Sequence, residues 1–457
     1  MTAEEIKNAD LKDLLNLGDF ECSCGRKHSP GVAKVIIEKG AVKELPALLH
    51  EIGAKKPFLL SGHDTFQAAG DIVRTVLEDA GFAYTKYVFP VSPVRPTEYT
   101  VGSALMHFDY SCDAIIGIGS GVINDTAKMI ARATGMKYII VATAPSMDGF
   151  VAGTSSMDRD GLKTSIYSKA AWCVLGDLDI LCNAPMHLLR AGVGDMLAKI
   201  TSLMEWKMAE IIVGEDYCEV TAALVRRALN QVMSQAQKLL ERDPDAVRSV
   251  MEGLVIAGIA MNYAGVSRPA SGMEHYFSHI WDMHSLAFEG VPFEQHGIQA
   301  GLGTLYTLMA YRTFLDGNYQ PDKERAMAFV RNFSLDDWNH QLLDFIGAGA
   351  EAMIEGEAKE HKYAPEKHEA RFAVIEKNWD LILDTIRTLP SPDEIRALME
   401  SIGFPTSASI IGYNDEQVKK TFTMTKDIRD KYVGTRLFWD LGILDEIADK
   451  TFTPTDR

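Results

Sequence analysis

What this sequence has little of narrows its function first. Basic residues are outnumbered, 46 Lys and Arg against 63 Asp and Glu, for a formal charge of −17. Nucleic acid and anionic membrane surfaces need basic footprints, so neither is expected as a partner. A small anion remains within reach, because a few local cations or amide dipoles suffice to hold one. No apolar run approaches the length of a membrane-spanning helix. The start, MTAEEIKNADLKDLL, is acidic and amphipathic, without the basic start, apolar stretch and small-residue cleavage site of a leader. Cysteine is sparse: Cys22, Cys24, Cys112, Cys173, Cys182 and Cys218 in 457 residues make no disulfide framework. A reduced, cytoplasmic location is the expectation. The run CSCGRKH, with Cys22, Cys24 and His28, suggests a small metal clip. No distant second pair of ligands stands out, so reduced thiols in a loop are expected there. Internal repeats and low-complexity segments are absent.

What is present reads as an ordinary globular enzyme-sized chain. Hydrophobic residues make up 47% and charged residues 24%, a composition that excludes disorder and fibre. The length accommodates two domains, each with its own core. From residue 34 to 145, short apolar runs alternate with helical patterns: AKVIIEKG, KPFLLSG, AYTKYVFP, DAIIGIGSG and YIIVATAP each precede or follow a helical stretch. Such alternation implies a parallel sheet covered on both faces. Residues 163–181 add two further strands, and from 186 onward the periodicity is helical. The expectation is an α/β fold: an N-terminal parallel-sheet dinucleotide-binding domain over 1–188, then an all-helical metal- and substrate-binding domain over 189–457. In open parallel sheets, ligands bind at the carboxyl ends of the strands.

Three stretches carry chemistry. DAIIGIGSGVINDTAKMI is a buried strand, a glycine-rich turn and a helix. Gly119 and Gly121 let backbone amides approach a pyrophosphate at a helix N-terminus, although the spacing is neither that of the Rossmann turn nor that of a Walker loop. The next strand leaves through Thr143, Ala144, Pro145 and Ser146 and presents Asp148, either a turn residue or a substrate contact. His275 and His279 stand four apart and share a helix face. Tyr276 occupies the place of the Glu that a zinc protease requires, so that activity is not expected. The pair is either packed structurally or part of a metal site. Favouring the second, QHG supplies His296 and GVGDMLAK supplies Asp195, a carboxylate facing a mainly apolar helix. One carboxylate and two imidazoles suit an open divalent site for Lewis-acid catalysis.

Together these pieces resemble the superfamily of iron-type alcohol dehydrogenases, glycerol dehydrogenases and 3-dehydroquinate synthases. Within it, TAPSMDG and SRPASGMEH are similar to the sn-glycerol-1-phosphate dehydrogenases, bacterial arabinose-operon-associated branch, and the likeness extends over nearly the whole chain. The resemblance implies a hydride transfer between NAD or NADP and a small phosphate substrate, interconverting dihydroxyacetone phosphate and sn-glycerol 1-phosphate. It implies Asp195, His275 and His296 as ligands of one divalent metal, nickel or zinc, with Asp148 and His279 contacting substrate. It places Gly121, Val122, Ile123, Asn124, Asp125, Thr143, Ala144, Pro145 and Ser146 at the cofactor, and it implies a homodimer. Ser267 to Gly272 bring Arg268 and small residues toward the phosphate, with Asn-rich or backbone contacts as the alternative for holding it. Two departures stand out. Ala152 replaces a serine common in the family, and Gly62 replaces an acidic residue that relatives often carry at the end of the second strand. Asp64, two residues on, is expected to cap the helix beginning at Thr65. The alternatives are a glycerol or other polyol dehydrogenase of the same superfamily, and a non-catalytic nucleotide-binding sensor that kept the fold.

Overall fold

The computed structural model describes residues 3–160, 162–288 and 294–453. Six parallel strands form its main sheet: β1 (Lys34–Glu38), β2 (Pro57–Gly62), β3 (Thr85–Phe89), β4 (Ala114–Gly119), β5 (Lys137–Ala142) and β6 (Cys173–Asp177). Their order across the sheet is β1-β6-β5-β4-β2-β3. β2, β4 and β6 are buried at every position, as expected of Val/Ile/Leu-rich strands covered on both faces. Register is set across the centre by pairs such as Ile116 with Ile139 and Leu59 with Ile116. A separate two-stranded sheet joins Thr154–Arg159 to Leu162–Tyr167. Its first strand, TSSMDR, has no apolar run and was not expected from the sequence.

The chain divides into two compact units. One comprises Met1–Arg159, Thr164–Met196 and Glu219–Ser267; the other comprises Asp160–Lys163, Leu197–Cys218 and Arg268–Arg457. The first unit holds the main sheet and the helices α1 (Gly121–Thr134), most of α2 (Met186–Leu197), α4 (Glu219–Gln235) and α5 (Pro244–Ala264); α3 (Lys199–Val213) lies in the second unit. α5 is held at both ends by local chemistry. Asp243 accepts from the amides of Asp245 and Ala246, Pro244 occupies the first turn, and Gly265 closes the helix at φ 71°. The second unit is helical, and includes α6 (Met273–Ala287) and α7 (His296–Asp316). α6 is buried along nearly its whole length, including Glu274, His275, Ser278, His279 and Asp282. α7 reaches it closely through Gly303, where a Cβ would collide with the Glu274 carbonyl. Among the described residues, no helix is long and apolar enough to cross a membrane.

Candidate cofactor cradle and metal ligands

In the first unit, the chain leaves β2 toward β3 and leaves β4 toward β5, in opposite directions along the sheet. The carboxyl ends of the neighbours β2 and β4 therefore form the topological switch point where parallel sheets bind ligands. The turn Gly119-Ser120-Gly121 lies there. Gly119 is required because a Cβ would fall 2.6 Å from that of Ile123. The first intrahelical bond of α1 runs from the Asn124 amide to the Ser120 carbonyl at 2.9 Å. The amides of Gly121, Val122 and Ile123 thus precede it at the positive end of a 14-residue helix. That is a cradle suited to a pyrophosphate.

The strand end after β5 closes against this turn. The Thr143 amide bonds the Gly119 carbonyl at 3.1 Å. Ser120 Oγ lies 2.5 Å from Ser146 Oγ and donates to the Ala144 carbonyl at 3.2 Å. Asn124 and Asp125 serve the following loop. Asn124 donates to the Gly149 carbonyl at 3.0 Å and accepts from the Tyr138 hydroxyl. Asp125 accepts from the Ser156 amide at 3.1 Å and from Lys128. Fully buried Lys128 donates in turn to the carbonyls of Gly149 and Thr154. These side chains shape the cradle by holding residues 147–156 in place.

The corner at Gly62 differs from expectation in one respect. Asp64 does not cap the helix. The helical turn begins at His63, and its cap is Gly62, whose amide bonds Thr65 Oγ1 at 3.0 Å. Asp64 instead accepts from Ser92 Oγ at 2.6 Å. A hydroxyl donor 28 residues away outcompeted the local amides.

The same unit fixes Asp195. α2 crosses the Pro145–Asp148 segment so closely that a Cβ on Gly192 would overlap the Pro145 carbonyl and lie 2.8 Å from Val250 Cγ1. One turn later, buried Asp195 accepts the Asp148 amide at 2.8 Å. Gly258 of α5 approaches from another side, where a Cβ would fall 2.8 Å from the Asp148 carbonyl.

In the second unit, His275 and His296 lie with ring centroids 4.9 Å apart, and each is held in one tautomer. His275 Nδ1 is 2.9 Å from Glu274 Oε1, a carboxylate that can only accept, so the proton sits on Nδ1. Ser278 Oγ gives its proton to Gln299 at 2.7 Å and must accept from His296 Nδ1 at 2.9 Å. In the neutral form of each ring the lone pair therefore falls on Nε2, the atom that ligates metal. Glu274 is itself fixed by Thr201 Oγ1 at 2.6 Å and the Gly272 amide at 2.5 Å. Burial pushes its neighbour Glu205 up to about 7, helped by the charge of Glu274. Glu274 stays below the usual carboxylate range: burial opposes ionisation, but the bonds from His275, Thr201 and Gly272 win.

His279 faces the same two rings, with its centroid 6.3 Å from that of His296. Burial first, then Arg429, the other two histidines and Lys163, hold its pKa well below the usual range, so the ring is neutral. Its Nδ1 is buried and has no protein partner. Arg268 is not available to a phosphate. It is buried, its guanidinium grips Glu215 in a fork at 2.5–2.9 Å, and its third nitrogen bonds the Tyr432 carbonyl at 3.0 Å.

Asp195, His275 and His296 make up a candidate metal-ligand set. A carboxylate with two imidazoles fits a borderline divalent ion with coordination positions left open. The sequence alone did not disclose Glu274, Ser278 and Gln299 as the groups that set the tautomers. The one legible signal was an acidic residue immediately before His275 on a buried helix.

The model of the family described as iron-containing alcohol dehydrogenase matches residues 36–185. The chain is 33% identical over 279 residues to a glycerol-1-phosphate dehydrogenase (NAD(P)+) of Pyrococcus furiosus, covering 61% of this chain and 78% of that one. It is 28% identical over 438 residues to the protein of the same name from Bacillus licheniformis, covering 94% of each. Among solved structures, a probable glycerol dehydrogenase from Sinorhizobium meliloti 1021 superposes with a TM-score of 0.57 at 16% identity, covering 92% of this chain and 98% of that one; this likeness shows the fold. The chain belongs to the glycerol-1-phosphate dehydrogenase family, NAD(P)-linked oxidoreductases within the iron-containing alcohol dehydrogenase superfamily.

Proposed function

We propose that this chain interconverts dihydroxyacetone phosphate and sn-glycerol 1-phosphate by hydride transfer with NAD or NADP, as a cytoplasmic homodimer of the arabinose-operon-associated branch. The cofactor belongs on the α/β half, residues 1–188, and the metal and substrate on the helical half, residues 189–457. The observation that carries the reading is the pair of imidazoles, His275 and His296, each with Nδ1 bonded to a side chain that accepts from it, which leaves Nε2 to face a metal. With Asp195 they hold one divalent ion, nickel or zinc. When bound, that ion supplies Lewis-acid stabilisation of the negative charge that develops on the substrate oxygen as hydride arrives.

The chain's own residues do the rest. The amides of Gly121, Val122 and Ile123 receive the pyrophosphate, and Thr143, Ala144, Pro145 and Ser146 line the nicotinamide side. Asp148 is held at the site by its amide bond to Asp195. His279, neutral and with Nδ1 unsatisfied, positions a substrate hydroxyl by hydrogen bonding rather than by carrying charge. Lys163, which lies 3.6 Å from Asp282, and Arg429 are the cations whose fields reach His279, and they are the candidates to meet the phosphate in place of Arg268. Gly62 leaves room beside the adenosine ribose, so both cofactors are accepted.

The test is metal content and turnover measured together. Asp195→Ala, His275→Ala and His296→Ala should each remain folded, lose the bound divalent metal, and lose activity with dihydroxyacetone phosphate. Full turnover in a demonstrably metal-free preparation overturns the assignment. A polyol dehydrogenase is separated by comparing dihydroxyacetone with its phosphate. A site built around phosphate discriminates strongly, because its polar groups go unpaired with the smaller ketone.

A further inference from the structure

The N-terminal segment that the sequence left as reduced thiols in a loop gains a fourth member in the structure. Phe20–Glu21 and Lys27–His28 pair as a hairpin with only two residue pairs. A ribbon so short is not stable by its own ladder. Its turn is tight: the Gly25 amide bonds the Cys22 carbonyl at 3.0 Å, the Cys22 amide bonds the Arg26 carbonyl at 2.9 Å, and Gly25 sits at φ 82°. That geometry turns the side chains of Cys22 and Cys24 toward His28. Cys24 Sγ lies 3.4 Å from His28 Nε2.

Cys218 comes from nearly two hundred residues downstream. It directly precedes Glu219, the first residue of α4. One donor atom from each of Cys22, Cys24, His28 and Cys218 lies within 4.8 Å of the others. No disulfide joins any of the six cysteines.

The histidine is prepared for a metal. His28 is fully buried, and its Nδ1 lies 2.8 Å from the Tyr263 carbonyl, which can only accept. The proton is therefore on Nδ1, and the lone pair of Nε2 points at the sulfurs. The ring is fixed further by stacking on Tyr263 at 5.1 Å and by the edge of Phe20 at 5.3 Å. Arg26 ties the turn to the end of α5 through the Ala264 carbonyl at 3.0 Å.

We propose that Cys22, Cys24, His28 and Cys218 bind one zinc ion in a closed Cys3His site that fastens the N-terminal hairpin to the start of α4 and the end of α5. Three thiolates and an imidazole within tetrahedral reach select zinc over the harder ions suited to a carboxylate-imidazole set. Four protein ligands leave no open position, so the role is structural, and binding releases the thiol protons as it adds folding free energy.

The experiment uses the full chain. After growth with zinc, titration with a thiol-selective mercurial should release one zinc per chain into a metallochromic indicator and lower the melting temperature. Replacement with cobalt(II) should give an intense thiolate-to-cobalt charge-transfer band with tetrahedral visible bands. Cys24→Ser and Cys218→Ser should weaken or abolish that band, whereas Asp195→Ala should leave it unchanged. If a cysteine variant fails to fold, the cobalt spectrum of the unaltered chain decides alone. Mercurial titration that consumes the thiols without releasing zinc overturns the proposal. So does a cobalt spectrum lacking thiolate charge transfer, or folded cysteine variants that keep the band at full strength.

Discussion

Gly192→Ala tests how tightly the site depends on one missing methyl group. Gly192 sits within α2, where alanine is favoured over glycine by about 1 kcal/mol. Propensity alone therefore predicts a more stable protein. The structure predicts otherwise. The new Cβ would overlap the Pro145 carbonyl and press 2.8 Å from Val250 Cγ1, inside the ~3.5–4.0 Å at which such atoms rest. Relief requires α2 or the Pro145–Asp148 segment to move by on the order of 1 Å, and overpacking of this kind costs about 1–3 kcal/mol. Net stability should fall by no more than about 2 kcal/mol, because the helical gain offsets part of the strain. Activity should fall much further. Asp195 lies one turn on and receives the Asp148 amide, so the shift reaches both, and a displacement of about 1 Å at a reacting centre can cost about 10²-fold in rate. Thermal unfolding and steady-state kinetics on the same preparation separate the two effects. Gly102→Ala is the control: that helical glycine has open space around its missing Cβ, so the variant should be neutral to slightly stabilised. Wild-type turnover in Gly192→Ala would refute the claim that this contact positions the site.

Other expectations follow from single contacts. Glu274→Gln removes the anion that orients His275, and metal affinity should fall by about 10–100-fold in a chelator competition, with the fold retained. Lys128→Met strands the buried carbonyls of Gly149 and Thr154 and removes the cation that pairs with Asp125; a loss of about 3–5 kcal/mol is expected in denaturant unfolding. Gly62→Asp should cut efficiency with NADPH while sparing NADH, since Asp64 is engaged by Ser92 and the unaltered corner carries no acid at that place; an unchanged cofactor ratio would show that another group sets the choice. Lys431 supplies a pH signature. Burial, then Arg268 and Arg429, lower its pKa to about 7. Above that pH the folded chain has released a proton that the unfolded chain still binds, so this group makes stability rise with pH from 7 toward the usual lysine range. Lys431→Met should flatten that rise in melting temperature; an unchanged slope contradicts it.

The strands were legible because each is a short apolar run bounded by turn residues, and a parallel sheet buries such runs on both faces. TSSMDR escaped notice because it has neither an apolar run nor clean alternation. The candidate metal ligands were legible as residue types, since a carboxylate and imidazoles in apolar helices call for a partner. Their supports were not. Nothing local says that Ser278 passes its proton to Gln299, or that Glu274 turns back onto the next residue. Long-range pairings were the least readable. Arg268 found Glu215 and Asp64 found Ser92; each partner is set by tertiary packing. The helices Glu219–Gln235 and Pro244–Ala264 illustrate the same limit, because a helical period marks a buried stripe but not the surface it packs on.

The central claim is the reaction itself, and one measurement tests it most directly. Oxidation of NADH and NADPH is followed with dihydroxyacetone phosphate after reconstitution with nickel or zinc, and the product is resolved on a chiral phase. The account predicts metal-dependent turnover that yields sn-glycerol 1-phosphate, with little from unphosphorylated dihydroxyacetone. Formation of the opposite enantiomer, or equal efficiency with dihydroxyacetone, would contradict it.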